Sequence, residues 1–229
     1  METIKKKIHF KLNLFEIVLI SSVIILNIID CHVKSNINYL GILTSIIGVV
    51  SVVLAAKGHL LNFGFGTIKF MLYSYICYQS KFYGEVMLNL GFYFPMQIAG
   101  FYFWKKHVTS KTENIIKTHG LTNLQRIVIL TSVILLTALY AYFLEYIGGK
   151  SPVLDSATTV VAIVTMILAI LRYKEQWYLW ILVNIATVVL WITSLESPTE
   201  YSFIMIGMRS LYFINSVYGA YNWNRLDKE

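Results

Sequence analysis

Residues 124–146 read LQRIVILTSVILLTALYAYFLEY, and this stretch decides the fold class of the chain. No charged residue occurs between Arg126 and Glu145. A helix of about 20 mostly apolar residues spans the hydrocarbon core of a bilayer, which is roughly 30 Å thick. The stretch is long enough to do so, and it therefore predicts a membrane-spanning helix.

Seven further apolar runs lie on either side of this stretch, and together they predict eight spans, at residues 13–30, 39–57, 62–80, 84–104, 124–146, 154–171, 176–195 and 201–223. Of the 229 residues, 57% are hydrophobic and only 14% are charged. An average globular chain carries about 25% charged residues. We therefore expect an all-α polytopic membrane protein embedded in a lipid bilayer, and we exclude a soluble domain and a disordered chain.

The net charge of +7 comes mainly from cations in the gaps between the runs. If the N-terminus is inside, fourteen of these cations fall in the loops on one side and only three, Lys34, Lys81 and Lys150, on the other. Cytoplasmic loops are enriched in Lys and Arg. The segregation predicts a multi-pass protein of the cell membrane with both termini in the cytoplasm. No nucleic-acid-binding motif is present, so we expect no nucleic-acid partner.

The runs on the two sides of residues 124–146 resemble each other. The fourth ends with GFYFW at 100–104 and the eighth with GAYNW at 219–223, an offset of 119 that also matches Tyr93 with Tyr212. Earlier in the runs, an offset of 115 pairs Lys57 with Arg172, Asn62 with Trp177 and Lys69 with Asn184. We predict two three-helix repeats, which a single connecting helix places in the same orientation. Chance similarity between aromatic-rich helices is the alternative.

This organisation divides the chain into four parts. Residues 1–38 hold a basic segment and an extra N-terminal transmembrane helix, and residues 39–104 form the first repeat. Residues 105–146 form a basic cytoplasmic loop and the linker helix, and residues 147–229 form the second repeat and the C-terminus. In transporters built from repeats, the substrate site lies near the bilayer midplane between them.

The seventh run carries the strongest candidates for a binding site. Trp177, Trp180 and Asn184 stand at i, i+3 and i+7 and share one helix face, which Trp191 joins two turns further on. Indole faces stack on planar heterocycles and attract cations, and a carboxamide both donates and accepts hydrogen bonds. The structural alternative is an interfacial tryptophan and an interhelical hydrogen bond.

The sequence offers no catalytic constellation. The five histidines are scattered in or near loops, no two of them have zinc-ligand spacing, and no run holds a histidine or a pair of acids at depth. Cys31 and Cys77 are too few for a disulfide framework. We therefore expect no enzyme, no metal and no cofactor. A membrane scaffold or sensor that transports nothing is the alternative to a transporter.

The stretch Trp177-Tyr178-Leu179-Trp180-Ile181-Leu182-Val183-Asn184 resembles the WxxWxxxN motif of the PnuC family of vitamin transporters. Asp155-Ser156 and RYKEQ at 172–176 also resemble the second repeat of that family, and the resemblance covers about residues 39–225. It implies a 3+1+3 helix core that is commonly trimeric and similar to the SWEET sugar transporters. It also implies uptake of nicotinamide riboside by facilitated diffusion, with intracellular phosphorylation trapping the substrate.

The resemblance implies roles for individual residues. Trp177, Trp180 and Asn184 would line the pocket for the base and the ribose, and Gln97 stands where the family often has a polar amide. We add the repeat-matched Tyr93 and Tyr212 as candidate binding residues.

Two cations inside the runs depart from the expected pattern. Lys69 stands where nicotinamide riboside carriers tend to have Asn, and Arg209 lies roughly 12 Å deep at 1.5 Å per residue. Unpaired charge inside a membrane costs about 2.5–3.5 kcal/mol on insertion scales. Either Lys69 extends to the surface and Arg209 pairs with an outer acid, or one of them contacts substrate. Because a cation beside a pyridinium is unfavourable, riboflavin or a deoxynucleoside stays open as the substrate; thiamine, itself a cation, meets the same objection.

Overall fold

The computed structural model describes residues 12–34, 37–110, 115–146, 148, 152–196 and 201–227, and these are almost entirely helical. The α-helices are α1 (Leu14–Lys34), α2 (Tyr39–Ala56), α3 (Asn62–Gln79), α4 (Tyr83–Met87), α5 (Phe94–Lys105), α6 (Asn123–Tyr146), α7 (Pro152–Ile170), α8 (Gln176–Thr193) and α9 (Ser202–Leu226). A π-helical segment, Leu88–Tyr93, joins α4 to α5, and a 3₁₀ turn, Ser194–Glu196, follows α8.

Each of the eight predicted runs is a helix in the structure, the fourth being α4, the π-helical segment and α5 in succession. Among the described residues, α1, α2, α6 and α8 are long and apolar enough to cross a membrane. The remaining runs are more polar or shorter, and two of them hold the cations Lys69 and Arg209. The all-α class is therefore confirmed, with four helices that qualify as spans by length and composition.

The fourth helix changes its geometry next to a proline. The Phe94 N–H bonds to the Asn89 carbonyl, five residues back, instead of four. Pro95 has no N–H to donate, and its ring collides with the carbonyl one turn earlier in a regular helix. The wider π-helical turn before Pro95 relieves that collision, and the Asn89 side chain within it is buried.

We call α2, α3 and α5, which follow one another along the chain, the first group of helices, and α7, α8 and α9 the second group. α3 packs against α2 and α5, and α8 packs against α7 and α9. The groups meet where α2 contacts α9 and where α5 contacts α7. α6 packs against α7, while α1 packs against α2 and α9. The first helix of each group therefore contacts the last helix of the other.

Two turns in the chain have the same backbone geometry. The His59 N–H bonds to the Leu54 carbonyl and the Tyr173 N–H to the Leu168 carbonyl, both at 2.9 Å. The preceding residues both have positive φ, +68° at Gly58 and +65° at Arg172. These turns correspond at an offset of 114, so the offset of 115 expected from the sequence is wrong by one residue. The backbone conformation of the turns pairs Gly58, and not Lys57, with Arg172.

A short β-hairpin and the residues that follow it connect these two turns, although the sequence predicted only a loop there. Its strands are β1 (Val108–Ser110) and β2 (Ile115–Ile116), which pair antiparallel. The Ile116 N–H bonds to the Gly58 carbonyl at 3.1 Å, and the His119 N–H bonds to the Arg172 carbonyl at 3.3 Å. We call this end of the bundle the hairpin end.

Two tryptophans at the hairpin end cross-link the groups reciprocally. Trp104 at the end of α5 donates from Nε1 to the Ala169 carbonyl of α7 at 3.1 Å. Trp223 in the last turns of α9 donates from Nε1 to the Ala55 carbonyl of α2 at 3.1 Å. Ala55 and Ala169 are 114 residues apart, the offset of the two turns. Both indoles are almost fully buried in the core of this end.

The N-terminal helix α1 is fixed to the bundle by a buried carboxylate. Glu16 is 0% exposed and forms a 2.8 Å salt bridge with Lys57. The Tyr218 hydroxyl donates to the same carboxylate at 2.9 Å. These contacts join α1 to the turn after α2 and to α9.

Candidate binding cavity

A cavity of about 1140 Å³ lies between the two groups of helices. Its wall is formed by residues of α2, α3, the fourth helix, α7, α8 and α9, with α6 at one margin. All the candidate residues named from the sequence contribute to this wall: Lys69, Tyr93, Gln97, Trp177, Trp180, Asn184, Arg209 and Tyr212. The fold therefore brings together side chains that lie up to 143 positions apart.

One side of the cavity is an aromatic surface. The rings of Trp180 and Tyr93 lie 6.2 Å apart at 35°, and Tyr93 stacks on Phe70 at 4.9 Å. Trp180 is half-buried, and its Nε1 donates to the Gln176 side chain at 3.3 Å. The surface is suited to a flat heterocycle, because aromatic faces favour offset stacking and attract positive charge.

Trp177 lies nearer the hairpin end and is held by packing. Its ring covers Gly219, where a β-carbon would collide with the indole, and it meets Trp223 edge to face at 5.8 Å. Its buried Nε1 has no hydrogen-bond partner within the described protein. Trp177 thus combines a structural contact with a free donor beside the cavity.

Trp191 does not belong to the cavity wall, contrary to the expectation from helical spacing. It is 0% exposed and donates from Nε1 to the Tyr73 hydroxyl at 3.0 Å. Trp191 follows Trp177 by fourteen residues. At 100° per residue, it is rotated by about 40° from that tryptophan and lies at the opposite end of the helix. It packs α8 against α3.

Polar groups with spare hydrogen-bonding capacity line the cavity. Asn184 Nδ2 donates to Ser216 Oγ at 2.9 Å. Among the described residues of the wall, six buried polar atoms have no hydrogen-bond partner: Gln97 Oε1, Gln176 Nε2, Trp177 Nε1, Arg209 Nε, Tyr212 Oη and Asn215 Oδ1. Buried polar groups are usually paired, and unpaired ones call for an explanation. A polar ligand in the cavity would provide one.

Lys69 and Arg209 are buried on the cavity wall at 8% exposure each. Lys69 does not extend to the surface, because its Nζ lies 3.5 Å from the centroid of the Phe70 ring. Arg209 lies over the Tyr73 ring, with Cζ 4.4 Å from the centroid, and pairs with no acid in the described part of the chain. The side chain of Asp155, an acid near the start of α7, lies outside what the structure describes. Among the described residues, Lys69 therefore does not extend to the surface, and Arg209 forms no ion pair with an acid.

Four further wall residues were given no binding role from the sequence: Glu85, Asn89, Gln176 and Asn215. Asn89 Nδ2 donates to the Glu85 carbonyl at 2.6 Å and to its carboxylate at 3.3 Å. Asn215 Nδ2 donates to the Val52 carbonyl at 2.9 Å. Polar residues inside apolar helices were the available signal, since such residues usually face the bundle interior.

Comparisons with known proteins agree with this geometry. The model of the family described as "Nicotinamide mononucleotide transporter" matches residues 38–225. The chain belongs to this family. It is therefore a multi-pass membrane protein of a transporter family, and it is not an enzyme.

Two relatives are both described as "Nicotinamide riboside transporter PnuC". One, from Neisseria mucosa, is 40% identical over 195 residues, covering 83% of this chain and 74% of the relative. Another, from Haemophilus influenzae, is 36% identical over 217 residues, covering 93% and 91%. A solved structure titled "Crystal structure of the Vitamin B3 transporter PnuC" has 36% identity and a TM-score of 0.86, and the match covers 98% of this chain and 96% of that one. The resemblance to the PnuC family drawn from the WxxWxxxN stretch is confirmed.

Proposed function

We propose that this protein takes up nicotinamide riboside across the cell membrane by facilitated diffusion, with intracellular phosphorylation trapping the substrate. The observation that carries this proposal is the 40% identity to a nicotinamide riboside transporter over 83% of the chain. The composition of the cavity supports it, because aromatic rings and unpaired amide groups suit a substrate made of a flat pyridinium ring, a carboxamide and a ribose.

The binding roles follow from the chemistry of each side chain. The Trp180 and Tyr93 rings stack on the pyridinium, whose positive charge favours an aromatic face. Asn184 and Gln97 bind the carboxamide and the ribose hydroxyls, since amides both donate and accept. Trp177 adds an indole donor near the hairpin end. Tyr212, Lys69 and Arg209 complete the wall.

The architecture we propose is two parallel three-helix repeats, α2–α3–α5 and α7–α8–α9, joined by α6 and preceded by α1. The equivalent turns at an offset of 114 and the reciprocal Trp104 and Trp223 bonds support it. On this arrangement each of the eight predicted runs spans the bilayer, with α4, the π-helical segment and α5 forming one span. Residues 39–104 and 147–229 are the repeats, and residues 105–146 are the loop and the linker helix. Helices that are polar on the cavity side can span when neighbouring helices cover that side.

We place the hairpin end, and with it both termini, in the cytoplasm. Lys105, Lys106, Lys117 and Arg126 are all at or near this end, which is the positive side by the rule for short loops. Several of the cations counted from the sequence, among them Lys5, Lys6 and Lys7, lie outside the described residues. We further propose a homotrimer, which the resemblance to the PnuC family supports.

The remaining question is the substrate, because Lys69 and Arg209 disfavour a cation. Calorimetric titration of the purified protein with nicotinamide riboside, thiamine, riboflavin and deoxynucleosides tests the proposal. Nicotinamide riboside is expected to bind and the others to bind weakly or not at all. Selective binding of riboflavin or a deoxynucleoside would assign another vitamin or nucleoside, and binding of none would favour a scaffold or sensor.

A further inference from the structure

Two neighbouring residues at the start of α8 carry hydrogen-bond donors that nothing in the described part of the chain accepts. Gln176 is 3% exposed and Trp177 is 4% exposed, and both line the cavity. Gln176 Nε2 and Trp177 Nε1 are buried without a hydrogen-bond partner. A buried donor without an acceptor costs free energy, because it has lost its hydrogen bonds to water. An acceptor atom of a ligand in the cavity would remove that cost for both donors.

The orientation of the Gln176 side chain is fixed by Trp180. The Trp180 Nε1 donates to Gln176 Oε1 at 3.3 Å. A carboxamide has one oxygen that accepts and one NH₂ group that donates, so this bond assigns the oxygen to Trp180 and leaves the NH₂ group for another partner. The Gln176 backbone is held as well, since its N–H bonds to the Tyr173 carbonyl at 3.3 Å. These two contacts hold the free Nε2 donor near the edge of the Trp180 ring.

The matching positions in the first group of helices differ in their hydrogen bonding. At the offset of 114, Asn62 corresponds to Gln176, and Phe63 corresponds to Trp177. Asn62 is also buried on the cavity wall, but its Nδ2 donates to the His59 carbonyl at 2.7 Å. Phe63 has no N–H group in its side chain. The pair of unpaired donors therefore belongs to the second group alone.

The packing role of Trp177 does not require the indole nitrogen. Phe63 covers Gly100 in the first group with carbon atoms only. Trp177 covers Gly219 in the second group in the same way. Because the first group makes this contact without an N–H, helix packing does not explain the donor of Trp177. The donor is available to a ligand, and its presence on one side only gives the cavity a direction.

A flat ring that stacks on Trp180 would present a coplanar substituent to this pair of donors. Gln176 contacts the Nε1 edge of the Trp180 indole, one turn nearer the hairpin end. Asn184 lies one turn from Trp180 in the opposite direction. If the sugar of a nucleoside lies beside Asn184, a substituent on the far side of its ring reaches toward Gln176.

We propose that Gln176 is a specificity-determining residue, whose Nε2 donates together with Trp177 Nε1 to the carboxamide oxygen of a pyridine nucleoside. This rests on the proposed function, in which the pyridine ring stacks on Trp180. A carbonyl oxygen has two lone pairs and accepts both N–H bonds at once. The carboxamide then faces the hairpin end, and the ribose faces the other way. A site of this kind rejects a substrate analogue that lacks the bonded group, because its own polar groups are then left unpaired.

Calorimetry on the purified full-length protein with two ligands tests this role. The ligands are nicotinamide riboside and the riboside of unsubstituted pyridine, which has the same charge and sugar but no carboxamide. The wild-type protein is expected to bind nicotinamide riboside about tenfold or more tightly than the analogue. Gln176→Leu and Trp177→Phe should each reduce this ratio about fivefold, because one N–H···O bond to the carboxamide is lost. Tyr178→Phe is the control and should leave the ratio unchanged, since Tyr178 is exposed on the same helix and does not line the cavity.

The ratio of the two affinities distinguishes contact with the ligand from a structural role. If Gln176 only held the Trp180 ring, Gln176→Leu would weaken the binding of both ligands equally, and the unchanged ratio would overturn the proposal. Trp177→Phe retains a ring over Gly219 and gives a second test if the Gln176 variant does not fold.

The outcomes also separate this role from the proposed function. If the wild-type protein binds both ribosides with equal affinity, the donor pair does not bind the carboxamide, and the proposed function stands. If neither riboside binds, the proposed function fails, and the role of Gln176 fails with it.

Discussion

Asn184 shows how a single residue links the packing of the helices to the cavity. Its Nδ2 is engaged by Ser216 of the neighbouring helix, while the residue remains on the cavity wall. Its carbonyl oxygen carries two lone pairs and can accept hydrogen bonds from a ligand. Trp180, one turn away on the same helix, supplies a ring face to the same space.

The first prediction concerns these two residues. Trp180→Ala and Asn184→Ala should each reduce the affinity for nicotinamide riboside at least tenfold, which is about 1.4 kcal/mol. Titration calorimetry on the purified variants measures this, and size-exclusion chromatography verifies that their oligomeric state is unchanged. Tyr178→Ala is the matched control, because Tyr178 lies on the same helix, is exposed and does not line the cavity. Unchanged affinity in both test variants would remove the pair from the site.

Residue-scale reasoning from the sequence found the candidates that stand out chemically and missed those that do not. Lys69, Arg209 and Asn184 are conspicuous because polar groups are rare inside apolar helices. Gln176 and Asn215 were given no binding role, since the first is at a helix end and the second follows Tyr212 in a run already rich in polar residues. Trp191 was expected on the face that lines the cavity but packs against α3 instead. The neighbouring helix that a side chain contacts depends on tertiary packing, which helical spacing does not specify.

At the scale of elements, close contacts between a glycine and an aromatic ring hold each group of helices together. A β-carbon at Gly219 would collide with the Trp177 ring, and one at Gly100 would collide with the Phe63 ring. Phe63 and Trp177 are 114 residues apart, so the same contact between a glycine and an aromatic ring occurs in both groups. The shared glycine in the two sequence endings therefore has a packing reason.

Substituting these glycines tests whether the glycine–aromatic contacts stabilise the fold. Gly219→Ala should destabilise the protein by about 1–3 kcal/mol, the usual cost of overpacking a buried contact. The thermal unfolding midpoint in detergent measures the effect. Gly64→Ala is the control, because no atom lies near the position of its β-carbon, and helix propensity favours alanine there. Equal midpoints for the two variants would show that the Trp177 contact is not tight.

The reciprocal indole bonds make a second prediction about elements. Trp104→Phe and Trp223→Phe each remove one Nε1 donor from a partly buried carbonyl and should cost about 1 kcal/mol. Chemical unfolding monitored by circular dichroism measures this cost. The exposed Tyr102→Phe serves as the control and should have little effect. A destabilisation confined to one tryptophan would argue against their equivalence.

The hairpin end should loosen at mildly acidic pH. Burial, with a smaller effect from the charge of Arg172, lowers the pKa of His119 below 6.5. Burial and Lys57 lower the pKa of His59 in the same way. The unfolded chain then binds more protons, so this stability is fully present above about pH 6.5 and is lost as the pH falls below that value. The unfolding midpoint should drop between about pH 7.5 and 5.5.

A variant identifies the group responsible for this pH dependence. His119→Gln should reduce the drop in unfolding midpoint, because glutamine does not titrate, and the backbone bonds from residue 119 to Arg172 and Lys174 are retained. His32→Gln is the control, since His32 is exposed in α1. An identical drop in both variants would exclude His119 as the source.

The secondary structure was predictable where hydrophobic length alone decides it. Each run became a helix with ends displaced by a few residues, because apolar length sets a span directly. The hairpin at Val108–Ser110 and Ile115–Ile116 was not predicted, since its pairing depends on turns far away in sequence. The register of the repeat was also wrong by one residue, as it depends on the positive φ of Gly58 and Arg172.

At the scale of the whole molecule, the proposed function requires a passage for a pyridine nucleoside between the two groups of helices. The cavity has contributions from both groups, and α2–α9 and α5–α7 are the contacts by which they meet. Movement of one group against the other would expose the cavity to either side in turn. No ion is needed for such movement if the substrate is consumed after entry.

Uptake by proteoliposomes containing only the purified protein tests this claim most directly. Labelled nicotinamide riboside should enter saturably until its concentrations inside and outside are equal, without an ion gradient, and enclosing a riboside kinase with ATP should raise the accumulated label. Asn184→Ala proteoliposomes should behave like empty vesicles, and Tyr178→Ala like the wild type. Uptake no faster than through protein-free vesicles, with the protein folded and correctly inserted, would contradict the account.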